Sequence, residues 1–99
     1  MTVAQALEVL KAAGYTPIYA RSETPLMTDD DIELGDGVSL QVVLVGRLTR
    51  FSPIFWRGEG TDFTMWDNGQ HYADPVVAAM VAMDLRAKAL AEIGERPCL

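Results

Sequence analysis

The sequence predicts an α+β domain in which an N-terminal helix, an antiparallel sheet of three to five strands and a long C-terminal helix follow one another, with both helices on one face of the sheet. Three observations lead to this prediction. Apolar residues recur at helical spacing near both ends of the chain, and β-branched and aromatic residues with turn signals dominate the middle. A length of 99 residues is enough for one hydrophobic core but not for two.

The first helix is predicted from Thr2 to Ala13. Thr2 and Gln5 have the spacing of a capping box, in which each side chain bonds to the backbone N–H of the other residue. Gly14 suits the left-handed position that follows a helix. The residues expected to form its apolar stripe are Val3, Ala6, Leu7, Leu10 and Ala13.

The middle of the chain is predicted to form strands separated by turns. Residues 15–21 have an extended pattern, and Pro17 excludes a helix there. Residues 22–37 are polar and are expected to form the longest loop, with a turn at residues 35–37. Residues 38–50 are predicted to form a central strand in which Gly46 marks a bulge or a bend.

Two further strands complete the predicted sheet. Residues 51–57 contain Pro53, which favours an edge strand or a bulge, and residues 61–66 alternate in polarity. Residues 67–69 read Asp-Asn-Gly, which is typical of a tight hairpin with residues 70–72 as the returning arm. If Phe63 and Met65 face the helices, Trp66 faces away from them together with Trp56. The alternative for both tryptophans is packing in the core.

The C-terminal helix is predicted to begin at Asp74 and Pro75, which pair an N-cap acceptor with a proline in the first turn. It is expected to run to about Ile93, and residues 95–99 to form a mobile tail of a single domain spanning residues 1–99. The stripe expected to pack on the sheet consists of Val76, Met80, Met83, Ala87 and Leu90.

Negative charge is concentrated in two segments. The net charge is −6, and neither residues 22–46 nor residues 58–85 contain Lys or Arg. Proteins bind phosphate backbones through clustered Lys and Arg side chains, which these segments lack. Direct contact with nucleic acid or an anionic membrane is therefore not expected. The acidic residues of these segments expected to contact a partner are Glu23, Asp29, Asp30, Asp31, Glu33, Asp36, Glu59, Asp62 and Asp67.

No pattern of residues predicts catalysis, a metal site or a cofactor. His71 is the only histidine and Cys98 the only cysteine, so the common zinc ligand sets and a Ser-His-Asp or Cys-His arrangement are not available. Asp29, Asp31 and Glu33 resemble the start of a calcium loop, but Leu34 and Leu40 stand where that loop requires Gly and Glu. A solvated acidic segment is the better interpretation.

The cysteine content and hydropathy predict a cytoplasmic protein. One Cys cannot form an intramolecular disulfide, the N-terminal residues lack the basic patch of a signal peptide, and no apolar run approaches the roughly 20 residues of a membrane span.

The element order is similar to that of the double-stranded RNA-binding domain, which also lays two helices on one face of an antiparallel sheet. That family has a basic cluster at the start of its last helix, where this chain has Asp74, Pro75 and Val76. The likeness therefore implies a fold and not RNA binding. In its general acidic profile, the chain resembles small proteins of phages and mobile elements that inhibit a host complex.

Three functions follow from these observations. The first is a non-enzymatic protein that binds a basic partner surface through the acidic residues named above and through Trp56 and Trp66, as an inhibitor of a nucleic-acid-binding host complex would. The second is a subunit of a homodimer or larger assembly that uses Trp56, Trp66, Phe55 or a second apolar face of the last helix. That face consists of Val77, Val81 and Leu85. The third is an enzyme with an unfamiliar site at Asp62, Asp67 or His71.

Overall fold

The computed structural model describes residues 1–21, 30–59 and 62–92. These described residues form two helices and five strands in the α+β arrangement that the sequence predicts. The predicted tail at residues 95–99 lies outside the described residues. In chain order the elements are α1 (Val3–Ala12), β1 (Ile18–Arg21), β2 (Asp30–Gly35), β3 (Val38–Val45), β4 (Leu48–Glu59), β5 (Asp62–Asp67) and α2 (Pro75–Glu92).

The five strands form one antiparallel meander in the order β1-β2-β3-β4-β5. Residues that are direct partners in the register share a face, so the rows of the sheet can be read across the strands. Ile32, Leu40 and Phe51 lie on one face and are fully buried, and they belong to the same core cluster as Ala6 of α1 and Ala82 of α2. Both helices therefore cover that face, as predicted.

The start of α1 is the predicted capping box. The backbone N–H of Gln5 donates to Thr2 Oγ1 at 3.1 Å, and the backbone N–H of Thr2 donates to Gln5 Oε1 at 2.8 Å. The helix ends at Ala12 with Ala13 as its C-cap, and Gly14 follows with a φ of 96°. Local interactions thus define both ends of α1.

The start of α2 is also as predicted, but its inner face is different. Asp74 Oδ1 accepts a hydrogen bond from the Val76 N–H at 2.9 Å, and the helix begins at Pro75, directly after Asp74. The predicted stripe is wrong at Met80, which is 61% exposed, and at Met83 and Ala87, which are also exposed. The face that is buried against the sheet consists of Pro75, Ala78, Ala79, Ala82 and Ala89.

The size of the aromatic side chains on the sheet explains this choice of helix face. Phe51 and Phe55 project from β4 toward α2 and are buried. The volume between a helix and a closely packed sheet is limited, so large side chains on one element require small ones on the other. The alanines of α2 therefore complement the two phenylalanines of β4. The larger methionines lie on the outer flank of the helix.

The acidic segment contains a strand where a loop was predicted. β2 occupies Asp30–Gly35 within the predicted loop at residues 22–37. Ile32 is fully buried while its neighbours Asp31 and Glu33 point to the opposite face. This polar–apolar alternation is typical of a sheet with one solvated face, and the high acidic content concealed it.

Two short turns set the register of the central hairpins. Asp36 and Gly37 connect β2 to β3 with φ angles of 54° and 80°, as expected for an Asp-Gly hairpin turn. Gly46 and Arg47 connect β3 to β4, because Val45 pairs with Leu48. Gly46, with a φ of 64°, is therefore a turn residue between two strands and not the bulge or bend predicted within one strand.

Pro53 lies inside β4, and the sequence had favoured an edge strand or a bulge for it. β4 is a single strand of 12 residues, and Pro53 is buried opposite Leu40 of β3. The pairing of β5 with β4 ends where Asp67 meets Ile54, so the proline nitrogen faces the loop that follows β5. Because β5 does not pair with β4 at this position, the missing N–H of Pro53 removes no hydrogen bond between the two strands.

The predicted hairpin at residues 67–72 is wrong. Tyr72 does not return along β5 but pairs with Phe51 of β4 through two backbone hydrogen bonds of 2.8 Å. The side chains of Asp67 and Asn68 accept hydrogen bonds from the N–H groups two residues further on. These local bonds form a loop that carries the chain onward along β4 toward α2.

Candidate functional site

The sheet face opposite the helices is the candidate functional surface, and it is called the open face here. The register places one residue of every strand in a single row across it, in the order Ile18, Glu33, Ser39, Ile54 and Asp67. Glu33 and Asp67 are three strands apart, which is about 14 Å. The strand residues of the core cluster, among them Ile32, Leu40 and Phe51, lie on the opposite face, although Ser39 in the middle of this row is also buried.

Apolar side chains are exposed beside this row. Trp56 is the direct partner of Met65 in the next row, and the two side chains are 43% and 51% exposed. Ile18, at the edge of the first row, is 62% exposed. These apolar side chains are exposed to water, so burying them against a partner would lower the free energy.

The charged side chains of the open face are mostly acidic. Asp31 and Glu33 of β2 and Asp67 of β5 all occupy open-face positions. Among residues whose side chains are described, Arg50 is the one cation at a strand position on this face, six residues and about 20 Å along β4 from Trp56. The end of the face that carries Trp56 therefore presents negative charge around an apolar centre.

Arg50 is held by the chain itself. Its Nε donates to His71 Nδ1 at 3.1 Å, and its terminal nitrogen donates to the His71 carbonyl at 3.2 Å. The single histidine is thus a hydrogen-bonding partner of an arginine at the far end of the open face. The described segments contain no cluster of three His, Cys, Asp or Glu side chains suited to a metal ion.

The two tryptophans lie on opposite faces, which reverses the predicted alternation for Trp66. Trp66 is the register partner of Phe55 and packs against it on the helix-covered face, with ring centroids 5.4 Å apart. Phe55, proposed from the sequence as an assembly contact, is 3% exposed and part of the core. The register explains this result. Trp56 pairs with Met65, so Met65 lies on the open face with Trp56, and its neighbour Trp66 lies on the helix-covered face.

The other acidic residues of the prediction are dispersed. Asp30 lies on the helix side of β2, and its carboxylate accepts a hydrogen bond from the Tyr19 hydroxyl. Glu59 and Asp62 are register partners where β4 ends and β5 begins. Glu23 and Asp29 lie outside the described residues.

The structure thus brings five of the predicted residues to the open face or its rim. They are Asp31, Glu33, Asp36, Trp56 and Asp67. The sequence prediction did not include Ile18 or Met65, although the strand pattern of both segments was visible. Identifying them requires the register, because alternation alone does not say which set of residues meets the helices.

Two depressions flank the Asp36–Gly37 turn. One, of about 190 Å³, opens on the open face between Ile18 of β1 and Trp56 of β4, with Glu33 and Asp36 in its lining. The other, of about 300 Å³, opens toward the helix layer. Asp36 and Trp56 line it as well, together with Arg57 and Arg86. The arginines of this end of the molecule therefore line the helix side, and the carboxylates of Glu33 and Asp31 lie on the opposite side.

No protein-family model matches this chain, and no curated protein or solved structure is significantly similar to it. No helix of the described segments has the length and apolar content needed to cross a membrane.

Proposed function

We propose that this chain is a non-enzymatic binding module whose open sheet face docks onto a basic surface of a protein partner. The observation that carries the proposal is the placement of exposed Trp56, Met65 and Ile18 among Asp31, Glu33 and Asp67 on one face, with Arg50 held at its far end.

The apolar centre supplies the affinity in this proposal. Protein interfaces commonly have an apolar, aromatic-rich centre surrounded by a polar rim, and tryptophan is enriched among the residues that contribute most to binding. Trp56 and Met65 form such a centre, because they are register partners on adjacent strands. The sheet fixes their backbones before binding, so little ordering is required when a partner docks.

The acidic residues supply the choice of partner and the rate of association. Complementary charge steers two proteins together and rejects partners of like charge. A basic groove that normally receives nucleic acid is the kind of partner this surface suits best. The most specific version of this proposal is that the protein inhibits a nucleic-acid-binding complex by occupying that groove. Small acidic proteins of mobile elements inhibit host complexes in this way.

The proposal is tested with charged probe peptides. An oligo-arginine peptide should bind the wild-type protein, an oligo-glutamate peptide of equal length should not, and the affinity should fall as ionic strength rises because screening shortens the reach of the charges to about 10 Å at 0.1 M salt. Isothermal titration calorimetry at several salt concentrations measures all three effects.

Charge-matched variants locate the binding surface. The open-face variant Asp31→Asn/Glu33→Gln/Asp67→Asn should weaken oligo-arginine binding at least about threefold, since each exposed ion pair contributes roughly 0.2–1 kcal/mol. The helix-layer variant removes the same number of negative charges and should retain the wild-type affinity. It consists of Glu8→Gln, Asp84→Asn and Glu92→Gln. Equal weakening by the two variants would mean that only net charge matters, and the proposed surface would be wrong.

A second candidate function, a subunit of a homo-oligomer, is favoured by a different observation. The β3–β4 hairpin extends past Val42, where its pairing with β2 ends, and Leu44 and Leu48 near its tip are 75% and 63% exposed. If copies associate through this tip, light scattering will give a mass above 10.8 kDa at high protein concentration. Leu44→Lys should then return the mass to that of one chain.

A further inference from the structure

We infer that the depression between Ile18 and Trp56 is a receptor for one arginine side chain of the partner. This inference rests on the proposed function, and it names the group that the open face recognises first. The lining of the depression includes Ile18, Glu33 and Trp56, which occupy open-face positions, and Asp36 of the β2–β3 turn.

The size of the depression favours a single side chain over a cofactor or metabolite. Its volume is about 190 Å³, whereas sites for small molecules usually measure ~300–1,000 Å³. A long, unbranched side chain that ends in one polar group is the ligand of this dimension that a protein partner can supply.

The chemistry of the lining favours a guanidinium group. An indole face attracts a cation within about 6 Å of its ring, and a planar guanidinium can stack on it while donating to carboxylates at its edge. Trp56, Glu33 and Asp36 all line the depression, and in this proposal they provide the indole and two carboxylates. Ile18 offers apolar surface for the methylene groups of the same side chain.

The backbone holds the groups of this site together. The Trp56 N–H donates to the Gly37 carbonyl at 2.9 Å, which ties the strand that carries the indole to the turn that carries Asp36. A Cβ atom at Gly37 would collide with the Trp56 carbonyl oxygen, so the two backbones meet without an intervening side chain. The backbone of the site is therefore positioned before any ligand arrives, which lowers the entropic cost of binding.

The first test uses a small probe, N-acetyl-arginine methylamide, in an NMR titration of the ¹⁵N-labelled protein. Its addition should shift the Trp56 indole N–H signal and the backbone amides of Glu33 and Asp36, whereas the Trp66 indole on the other face should not move. The corresponding citrulline amide has nearly the same shape without the charge and should cause no shift. Equal shifts with citrulline would overturn the inference, and equal shifts with the lysine analogue would overturn the assignment to guanidinium.

The second test separates this inference from the proposed function with two charge-matched variants of the same face. The pocket variant Glu33→Gln/Asp36→Asn should weaken binding of the arginine amide about three- to tenfold, and Trp56→Leu about two- to fivefold. Asp31→Asn/Asp67→Asn removes two charges outside the pocket and should leave this affinity unchanged.

The same two double variants are then titrated with the oligo-arginine peptide. If both weaken peptide binding while neither alters the response to the arginine amide, the open face binds basic partners but the arginine receptor does not exist. If the wild-type protein does not bind the peptide while the amide still titrates the pocket, the proposed function fails and the receptor stands. If neither probe binds, both are wrong.

Discussion

Substituting the two glycines of the β2–β3 connection separates backbone conformation from steric contact. Gly35 and Gly37 both have positive φ angles, of 93° and 80°, and lie two residues apart. A Cβ at Gly35 would meet nothing within 4 Å, whereas a Cβ at Gly37 would fall against the Trp56 carbonyl oxygen and 3.2 Å from Phe55 Cε1. Gly35→Ala is therefore the matched control for Gly37→Ala.

The structure allows both magnitudes to be worked out. A non-glycine residue in the left-handed region costs about 1–2 kcal/mol, and this is the whole effect expected for Gly35→Ala. At Gly37 the carbon and oxygen would lie well inside the roughly 3.3 Å at which they normally meet. Moving the strands apart loses the Trp56–Gly37 hydrogen bond, worth about 0.5–1.5 kcal/mol, and strains the packing by about 1–3 kcal/mol. Gly37→Ala should thus cost about 3–6 kcal/mol.

Urea unfolding followed by tryptophan fluorescence measures the difference. The Gly37→Ala midpoint should fall well below that of Gly35→Ala, with the slope unchanged for any variant that unfolds in two states. Against a total stability of about 5–15 kcal/mol, the larger loss could leave Gly37→Ala largely unfolded without denaturant, and that outcome also agrees with the reasoning. Equal losses for the two variants would refute it, because the steric contact would then have no energetic consequence.

Three smaller predictions concern the helices. Thr2→Ala removes the capping hydrogen bond and should cost about 1 kcal/mol by thermal unfolding, whereas Thr2→Ser should cost much less; no difference between the two would count against the cap. Ala82→Leu should cost about 1–3 kcal/mol because Ala82 is fully buried, while exposed Met80→Ala should stay within about 0.5 kcal/mol; the reverse order would show that the methionines form the inner face. The hydrogen bond and charge of Asp84 raise the pKa of Lys88 above its ordinary 10.5, and NMR titration should show it falling in Asp84→Asn. Because the pKa of Lys88 is raised in the folded state, the pair stabilises the fold below the unfolded-state pKa of lysine, and this contribution is lost as the pH rises through the folded-state pKa. The pair should therefore give no pH dependence of stability near neutrality.

Much of the fold could be predicted from residues that act on their near neighbours. The capping box at Thr2 and the Asp74–Pro75 helix start are local, since the donor and acceptor are only a few residues apart. The Asp36–Gly37 turn is local for the same reason, because it depends on the conformational freedom of glycine and aspartate. These features were identifiable without knowing where any distant residue lies.

The prediction failed where a distant partner overrode a local pattern. Asn68 and Gly69 form a common hairpin sequence, but the chain continues along β4 and pairs Tyr72 with Phe51. The competing partner is 21 residues away, and a local motif carries no information about it. Likewise, the apolar residues of α2 allow two inner faces, and Phe51 and Phe55 on β4 select the alanine face because it leaves room for their rings.

The class of the fold, the ends of its helices and the acidic balance of the chain follow from composition and short-range hydrogen bonding, and so they could be predicted from the amino acids alone. The residues that form the open face depend instead on how distant strands pair. A shift of one residue in the register moves every side chain of a strand to the other face, and the pairing of Trp56 with Met65 and of Phe55 with Trp66 fixes that choice. One tryptophan was thereby placed in the core and the other on the open face, beside Glu33.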